Sequence, residues 1–357
     1  MKKYPSILHI IDTLGLGGAE RVAVMNANAF SKKGHKVGLM YFIHTPLNLI
    51  NSLNKGVQVY YFDRKGKFNI FRKKEFQRIT DKYDLLHVHL KHNLRYVWFL
   101  KLFSKIMPVV FFHDHGFTSM NQLDLKVTKV AISNAVYMSV NRIHCEIARQ
   151  KLGVKNPNLL ESTIETIGSP VGLPSNNDEF SLVLVSNIHP RKNILFVIEY
   201  LEQLLHEIKN CRLDIIGNVL DPDYLVICKN RVQQLNLSEK IKFIHGERYI
   251  QPLLVNYDLG LHVSPLETGP LVLLEYFAQG LPFLSYQTGQ VFEKANHHFP
   301  LYFIDDYEIL NWVSRSIQVR SSPRNLVQEK MKRFFHDHYS VEKYYNNCLC
   351  IYLENLN

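Results

Sequence analysis

Short apolar runs recur along the first half of the chain, each closed by a charge, a glycine or a proline. SILHIID, KVGLMYFI, VQVYYFD, YDLLHVHL and PVVFFHDH have the length and the β-branched and aromatic content of strands. Between them, AERVAVMNANAFSKKGH spaces its apolar residues at three and four and stops at Gly34. LRYVWFLKLFSKI reads as another helix, and KVTKVAISN, dense in valine, threonine and isoleucine, as a further strand. Strands alternating with helices predict a parallel sheet wound on both faces.

Gly, Pro, Ser and Asn then cluster in GSPVGLPSNNDE, residues 168–179, which reads as a linker. The pattern restarts beyond it. FSLVLVSNI, CRLDIIGN, IKFIHG, DLGLHVSP and LPFLSY are strands, and ILFVIEYLEQLLHEI and the segment after Gly269–Pro270 are helices. The expectation is α/β: two Rossmann-like, doubly wound domains at 1–172 and 173–335, facing a central cleft. A C-terminal amphipathic helix, 336–357, is expected to pack back towards the first domain.

Charge changes this picture in one respect. Of the net +10, residues 1–175 carry 25 Lys/Arg against 11 Asp/Glu, whereas 176–357 carry 17 against 21. A basic first half suits an anionic partner: a phosphorylated substrate, a membrane surface or nucleic acid. No nucleic-acid reading motif accompanies the charge, so nucleic acid is set aside. No run is long and apolar enough to span a bilayer, and the N-terminus lacks a signal-peptide core; a cytoplasmic protein is expected. The five cysteines include no CxxC pair, which points to free, mostly buried thiols.

Four stretches carry candidate chemistry. GLGGAE follows the first strand and opens the first helix, where Gly17 and Gly18 let backbone approach an anion; a plain tight turn would use the same glycines. The second strand ends without the acidic residue that would hold a dinucleotide's ribose, which argues against NAD. HPRKN holds the corresponding place in the second domain, and its Arg191 and Lys192 suit a diphosphate. In PVVFFHDHG, alternation turns His113 and His115 one way and Asp114 the other. His87 and His89 repeat that spacing one strand earlier. These histidines suit acid–base work, metal binding or core hydrogen bonding, and the sequence does not place the further ligands a metal would need.

In SPLETGPLVLLEYFAQGLP, Gly269 and Pro270 start a helix whose backbone N–H groups at 270–272, around Leu271, are expected to hold a phosphate. Glu267 precedes the helix and Glu275 lies inside it among apolar neighbours. A carboxylate in such a place suits paired sugar hydroxyls. Asp221–Pro222–Asp223 reads as a surface turn rather than a metal motif.

These motifs together resemble the GT-B glycosyltransferases of the large retaining family four, over nearly the whole length. The likeness rests on GLGGAE, FHDH, AISNAV, PRKN, DIIGN, the Glu267/Glu275 pair and GLPFLSYQTGQV. It implies that Glu275 holds the ribose of a nucleotide sugar and that Glu267 lies near the sugar and the reacting centre. Arg191 and Lys192 would bind the diphosphate, with Asn187, Gly217, Gly269, Pro270 and Leu271 also lining the nucleotide. Gly17 and Gly18 would approach the donor phosphates and acceptor, and His113 would lie beside the transferred sugar. Catalytic roles fall on His113, Glu267, Arg191 and Lys192. Three departures stand out: Asn187 where the family usually has an arginine, Glu161–Ser162–Thr163 in place of its Asn-Gly, and Thr268 where many members have glycine.

The expected function is retaining, hexosyltransferase-type transfer from a nucleotide diphosphate sugar, UDP-sugar favoured, to a glycan or lipid-linked hydroxyl in polysaccharide or glycoconjugate synthesis. No metal and no separate cofactor are expected, since Arg191, Lys192 and the helix start would carry the charge. The basic first domain is expected to meet an anionic membrane at the inner face of the cell membrane. Two other readings compete: a GT-B enzyme of another reaction, such as an epimerase or a phosphorylase, and a catalytically silent scaffold.

Overall fold

A computed structural model of the chain describes residues 4–46, 48–66, 70–104, 107–116, 122–168, 179–247 and 249–356. Most of the expected linker, residues 169–178, and Lys67 of the basic run lie outside the described residues. The chain divides into two compact units, residues 1–165 with 340–357, and residues 166–339.

The first unit runs β1 (Ile7–Ile11), α1 (Gly18–Lys32), β2 (Val37–Tyr41), β3 (Val57–Tyr61), α2 (Lys73–Thr80), β4 (Leu85–His89), α3 (Lys91–Lys101) and β5 (Val109–Asp114). It continues with α4 (Gln122–Ser133), β6 (Val136–Ser139), α5 (Arg142–Ile147) and β7 (Asn158–Leu159). Among the described residues its seven strands are parallel in the order β3-β2-β1-β4-β5-β6-β7.

The second unit holds β8 (Phe180–Val185), α6 (Ile194–Glu207), β9 (Cys211–Ile216), α7 (Pro222–Gln234), β10 (Ile241–Ile244) and β11 (Leu259–His262). α8 (Leu271–Gln279), β12 (Phe283–Tyr286), α9 (Gly289–Ala295), β13 (Phe303–Ile304), α10 (Ile309–Arg320) and α11 (Arg324–Tyr339) complete it. Among the described residues its six strands are parallel in the order β10-β9-β8-β11-β12-β13. Both orders reverse at the first strand of their unit, the doubly wound arrangement the alternation predicts. α12 (Val341–Asn355) returns to the first unit.

KVTKVAISN is a helix, not a strand. Thr128, Ala131 and Ile132 are buried at three- and four-residue spacing while Val130 is exposed, so the core selects a 3.6-residue period over β-branched propensity. The adjacent strand is β6. Asp221 is likewise no surface turn: its Oδ1 accepts from Tyr224 N at 2.9 Å, capping α7 with Pro222 at the first helical position.

Two layers of core flank the first sheet. On one face Leu8, Ile10, Leu86, Val88 and Phe112 join the cluster around Phe76 and Tyr96. The opposite face packs against α12, which buries Tyr344, Tyr345, Cys348, Ile351 and Tyr352, a helical stripe. Tyr352 meets Phe30 and Phe111, and Asn26 donates to Tyr344 Oη at 2.9 Å. The residues 336–357 therefore form no single helix. α11 runs on to Tyr339 because Phe334 packs against Phe277 of α8, 5.0 Å between ring centres, and Ser340 then caps α12. Among the described residues no helix is long and apolar enough to cross a membrane.

Candidate functional site

In the second unit the turn after β8 and the loop after β11 meet. Pro190–Lys192 forms one 3-10 turn, closed by His189 Nδ1 accepting from Arg191 N at 3.1 Å. Asn193 follows at φ +53°, a left-handed residue that swings the chain into α6. This turn delivers the Lys192 ammonium to the Glu267 carboxylate, an ion pair joining residues 75 positions apart. Arg191 extends into solvent, and its carbonyl accepts from Ser264 Oγ at 3.3 Å.

Glu267 is pulled in two directions. Burial pushes its carboxyl up, but Lys192, His262 and the hydrogen bonds from Lys192 and Ser264 outweigh burial and hold it below the usual carboxylate range. His262, at the end of β11, stands 3.9 Å from Glu267 Oε1 and meets Ser285 Oγ at 3.0 Å through Nδ1. Burial drives its imidazole down to about 4 against the pull of Glu267, so it is neutral at pH 7.

The loop carrying Glu267 is clamped from the β12–α9 turn. Thr288 Oγ1 accepts from Glu267 N at 2.9 Å, and Gln290 N donates to Thr268 O at 2.9 Å. Gly289 sits between them at φ +78°; a Cβ there would stand 2.9 Å from Pro270 Cδ and 3.2 Å from the carbonyls of Glu267 and Thr268. Pro270 is the N-cap of α8. Having no N–H, it cannot donate to a phosphate as expected of residues 270–272; Leu271 and Val272 are the free amides of this helix start. Glu275, one turn further in, is 1 % exposed among Leu273, Leu274, Tyr276 and Phe277.

Asn187 and Gly217 hold the strand ends together. Asn187 Oδ1 accepts from Asn218 N at 3.3 Å, and a Cβ on Gly217 would fall 2.1 Å from Ser186 O. Their immediate work is thus the close approach of the β8 and β9 ends.

In the first unit Gly17 is the N-cap of α1 and Gly18 its first residue; Glu20 behind them accepts from Thr13 Oγ1 at 2.8 Å. At the ends of β4 and β5 lies a histidine cluster. Register pairs His9 with His87 and His89 with His113, so these four imidazoles share one sheet face, with His115 just beyond. Asp114 points the other way and accepts from Tyr137 Oη at 2.8 Å, with Lys91 Nζ 3.4 Å away. His113 itself is fully buried. Its ring packs 4.2 Å from that of His115, which alone of the five is partly exposed. Burial lowers the proton affinity of all five, His9 to about 3 and His115 to about 4.

Residues 169–334 match the profile described as Glycosyl transferases group 1, and residues 16–148 that of Glycosyltransferase Family 4. The N-acetyl-alpha-D-glucosaminyl L-malate synthase of Bacillus anthracis is 24 % identical over 178 residues, 49 % of this chain. That match spans 45 % of the relative, less than half its length. Among solved structures, Anabaena HepE in complex with UDP and glucose superposes at a TM-score of 0.80 with 15 % identity, over 99 % of this chain and 100 % of the other. A glycosyltransferase from Rickettsia africae does so at 0.81 with 16 % identity, over 99 % of both chains.

Proposed function

From its membership of the group 1 glycosyltransferases, we propose that this chain moves a sugar from a UDP-sugar to an acceptor hydroxyl, with retention at the anomeric carbon and without a metal at the diphosphate. The observation that carries the reading is the Lys192–Glu267 pair set beside the start of α8. It joins a cation suited to a diphosphate, a carboxylate suited to sugar hydroxyls and a helix N-terminus in one unit.

In the proposed reaction the bond between the anomeric carbon and the diphosphate oxygen breaks as the acceptor oxygen bonds that carbon on the same face. Arg191, Lys192 and the Leu271 and Val272 amides stabilise the charge growing on the leaving diphosphate. The acceptor proton passes to the departing phosphate oxygen. Glu275 accepts hydrogen bonds from ribose hydroxyls, and Glu267 turns towards the sugar. Gly17 and Gly18 give the donor phosphates and acceptor close backbone approach. His113 acts through the position it gives His115. The UDP and glucose bound by the Anabaena neighbour favour uridine as the base and a hexose as the sugar.

The acceptor is proposed to be a glycan or lipid-linked hydroxyl presented at an anionic membrane surface. Exposed Phe71 precedes α2 and exposed Leu102 and Phe103 follow α3, beside the lysines and arginines of these segments, a composition suited to lipid headgroups.

The test is Glu275→Gln, which keeps shape and removes the carboxylate. Each hydrogen bond to a charged group contributes about 1.5–3 kcal/mol, so affinity for UDP by calorimetry should fall at least tenfold, and turnover with it. Unchanged affinity and turnover would sink the assignment. Screening UDP-, GDP- and ADP-sugars by the same calorimetry checks the base.

A further inference from the structure

Five of the chain's 17 histidines meet on the α12-facing side of the first sheet, and the sugar-transfer reading uses at most two of them. Their contacts form a ladder. His9 Nδ1 lies 3.2 Å from His89 Nε2, and His89 Nδ1 lies 2.9 Å from His115 Nε2. His87 Nε2 lies 3.1 Å from His113 Nδ1, while His87 Nδ1 meets the Tyr352 hydroxyl. The rings of His87 and His89 stack at 4.4 Å with 7° between planes. Each nitrogen–nitrogen contact holds one proton, because neutral imidazole carries one N–H and one bare nitrogen.

Bare imidazole nitrogens at this density are the ligands that borderline-soft divalent cations take. Two trios bring ring nitrogens within 4.8 Å of one another: His9, His87 and His89, and His89, His113 and His115. Zinc bonds to imidazole at about 2.0–2.1 Å, which spaces tetrahedral ligands roughly 3.3 Å apart, so either trio needs only side-chain adjustment. The inner trio is wholly buried, and a dication there would lose all its water among neutral ligands. The outer trio differs in two ways. His115 reaches the surface, leaving a fourth position for water, and the Asp114 carboxylate exerts its field on His115.

The strand ends that carry this trio are also strained. Leu90, directly after His89, has φ +70° and ψ +143°, a region that suits glycine. Its N–H donates to His113 O at 3.3 Å, which ties the β4 exit to β5 beside the ligands.

We propose that His89, His113 and His115 bind a divalent transition cation of the zinc type, with His9 and His87 as outer partners that orient the ligand rings. The cation replaces the single proton held between His89 Nδ1 and His115 Nε2. That proton moves to His115 Nδ1, and the ring stays neutral. His89 donates its Nε2–H to His9 Nδ1, and His113 is held through its contact with His87, the support that metal-binding histidines use elsewhere. The site is separate from the diphosphate chemistry proposed for Lys192 and Arg191, and it stands or falls without it.

The test uses the full, untagged chain stripped with a chelator and titrated with Co2+, then Zn2+. About one cation per chain should remain after gel filtration, with the intense visible absorption of four-coordinate Co2+ displaced by Zn2+. His115→Gln, just past the end of β5, should abolish the absorption. His9→Gln should weaken binding roughly 10–100-fold, the usual effect of losing an outer partner. His336→Gln, an exposed residue of α11, should leave binding unchanged. Wild-type protein of native circular dichroism that retains less than about a tenth of a cation per chain overturns the proposal, whatever the variants do. So does His115→Gln protein that folds and binds as the wild type does.

Discussion

Replacing Lys192 by methionine keeps most of the side chain's length and removes the cation that holds Glu267 ionised. At contact distance and an effective dielectric near 20, the direct attraction is about 5 kcal/mol. Desolvation and the ordering of two side chains offset much of it. The pair is neither buried nor exposed, with Lys192 32 % and Glu267 18 % accessible. Exposed pairs contribute about 0.2–1 kcal/mol and breaking buried ones costs about 3–5, so Lys192→Met should cost the second unit roughly 1.5–3 kcal/mol at pH 7.

The dependence on pH is the sharper test. In the wild type the Glu267 carboxyl is held down, so its contribution is present above its unfolded value and is lost as pH falls through the folded one. Without Lys192, burial dominates and pushes the carboxyl above the ordinary range, and the variant gains stability by taking up a proton as pH falls. His262 moves in the same direction, because Lys192 is one of the groups holding it down. The gap between wild type and variant should therefore narrow below pH 7, by up to about 1.4 kcal/mol per pH unit once the variant's Glu267 is protonated. The chain's two tryptophans allow the second unit to be followed alone: Trp312 is fully buried there, and Trp98→Phe silences the first unit. Urea unfolding read by Trp312 fluorescence at pH 7 and pH 5, in a double-mutant cycle with Glu267→Gln, gives the coupling directly. A coupling below about 0.5 kcal/mol, or a gap that does not change with pH, would refute the assignment of Lys192 as the counter-ion of Glu267.

Two further outcomes follow from named contacts. Gly289→Ala forces a Cβ against Pro270 and two loop carbonyls at a positive φ, so it should cost about 1–3 kcal/mol and weaken UDP binding; Gly34→Ala, at φ +86° with open space around it, should cost stability without touching UDP affinity, and equal effects on affinity by calorimetry would contradict the clamp. In liposome sedimentation at low salt the chain should prefer anionic to neutral vesicles, and Phe71→Ser with Phe103→Ser should reduce that binding; no preference for anionic lipid removes the membrane proposal.

Most strands were legible because each parallel strand is a short apolar run closed by a turn residue. Helices whose apolar residues kept a 3.6-residue spacing, such as α1 and α6, were legible for the same reason. KVTKVAISN misled because its β-branched content favours a strand, and only the burial of Thr128, Ala131 and Ile132 settles the period. Burial of both faces also erases alternation: β1, β2 and β4 are buried at every position, so nothing in ILHII distinguishes His9 from its apolar neighbours. Its meaning appears only when β1 pairs with β4 and His9 falls opposite His87. The same holds for Lys192 and Glu267, 75 residues apart, and for Thr288 and Gly289, whose work is done on a loop 21 residues earlier.

What separates the legible from the illegible is sequence distance. Glu267, Gly269, Pro270 and Glu275 lie within nine consecutive residues that enter and run into α8, and local rules of helix starts and buried carboxylates suffice to single them out. A parallel sheet, by contrast, joins neighbours only through crossovers of a dozen residues or more, so every contact between adjacent strand ends is non-local. Both centres described here lie at such ends: Lys192 after β8 with His262 at the end of β11, and His89 and His113 on β4 and β5. Strand order decides which residues meet. It puts β8 beside β11 and β1 beside β4, and so assembles His262 and Lys192 around one carboxylate and a lone histidine into a five-membered cluster.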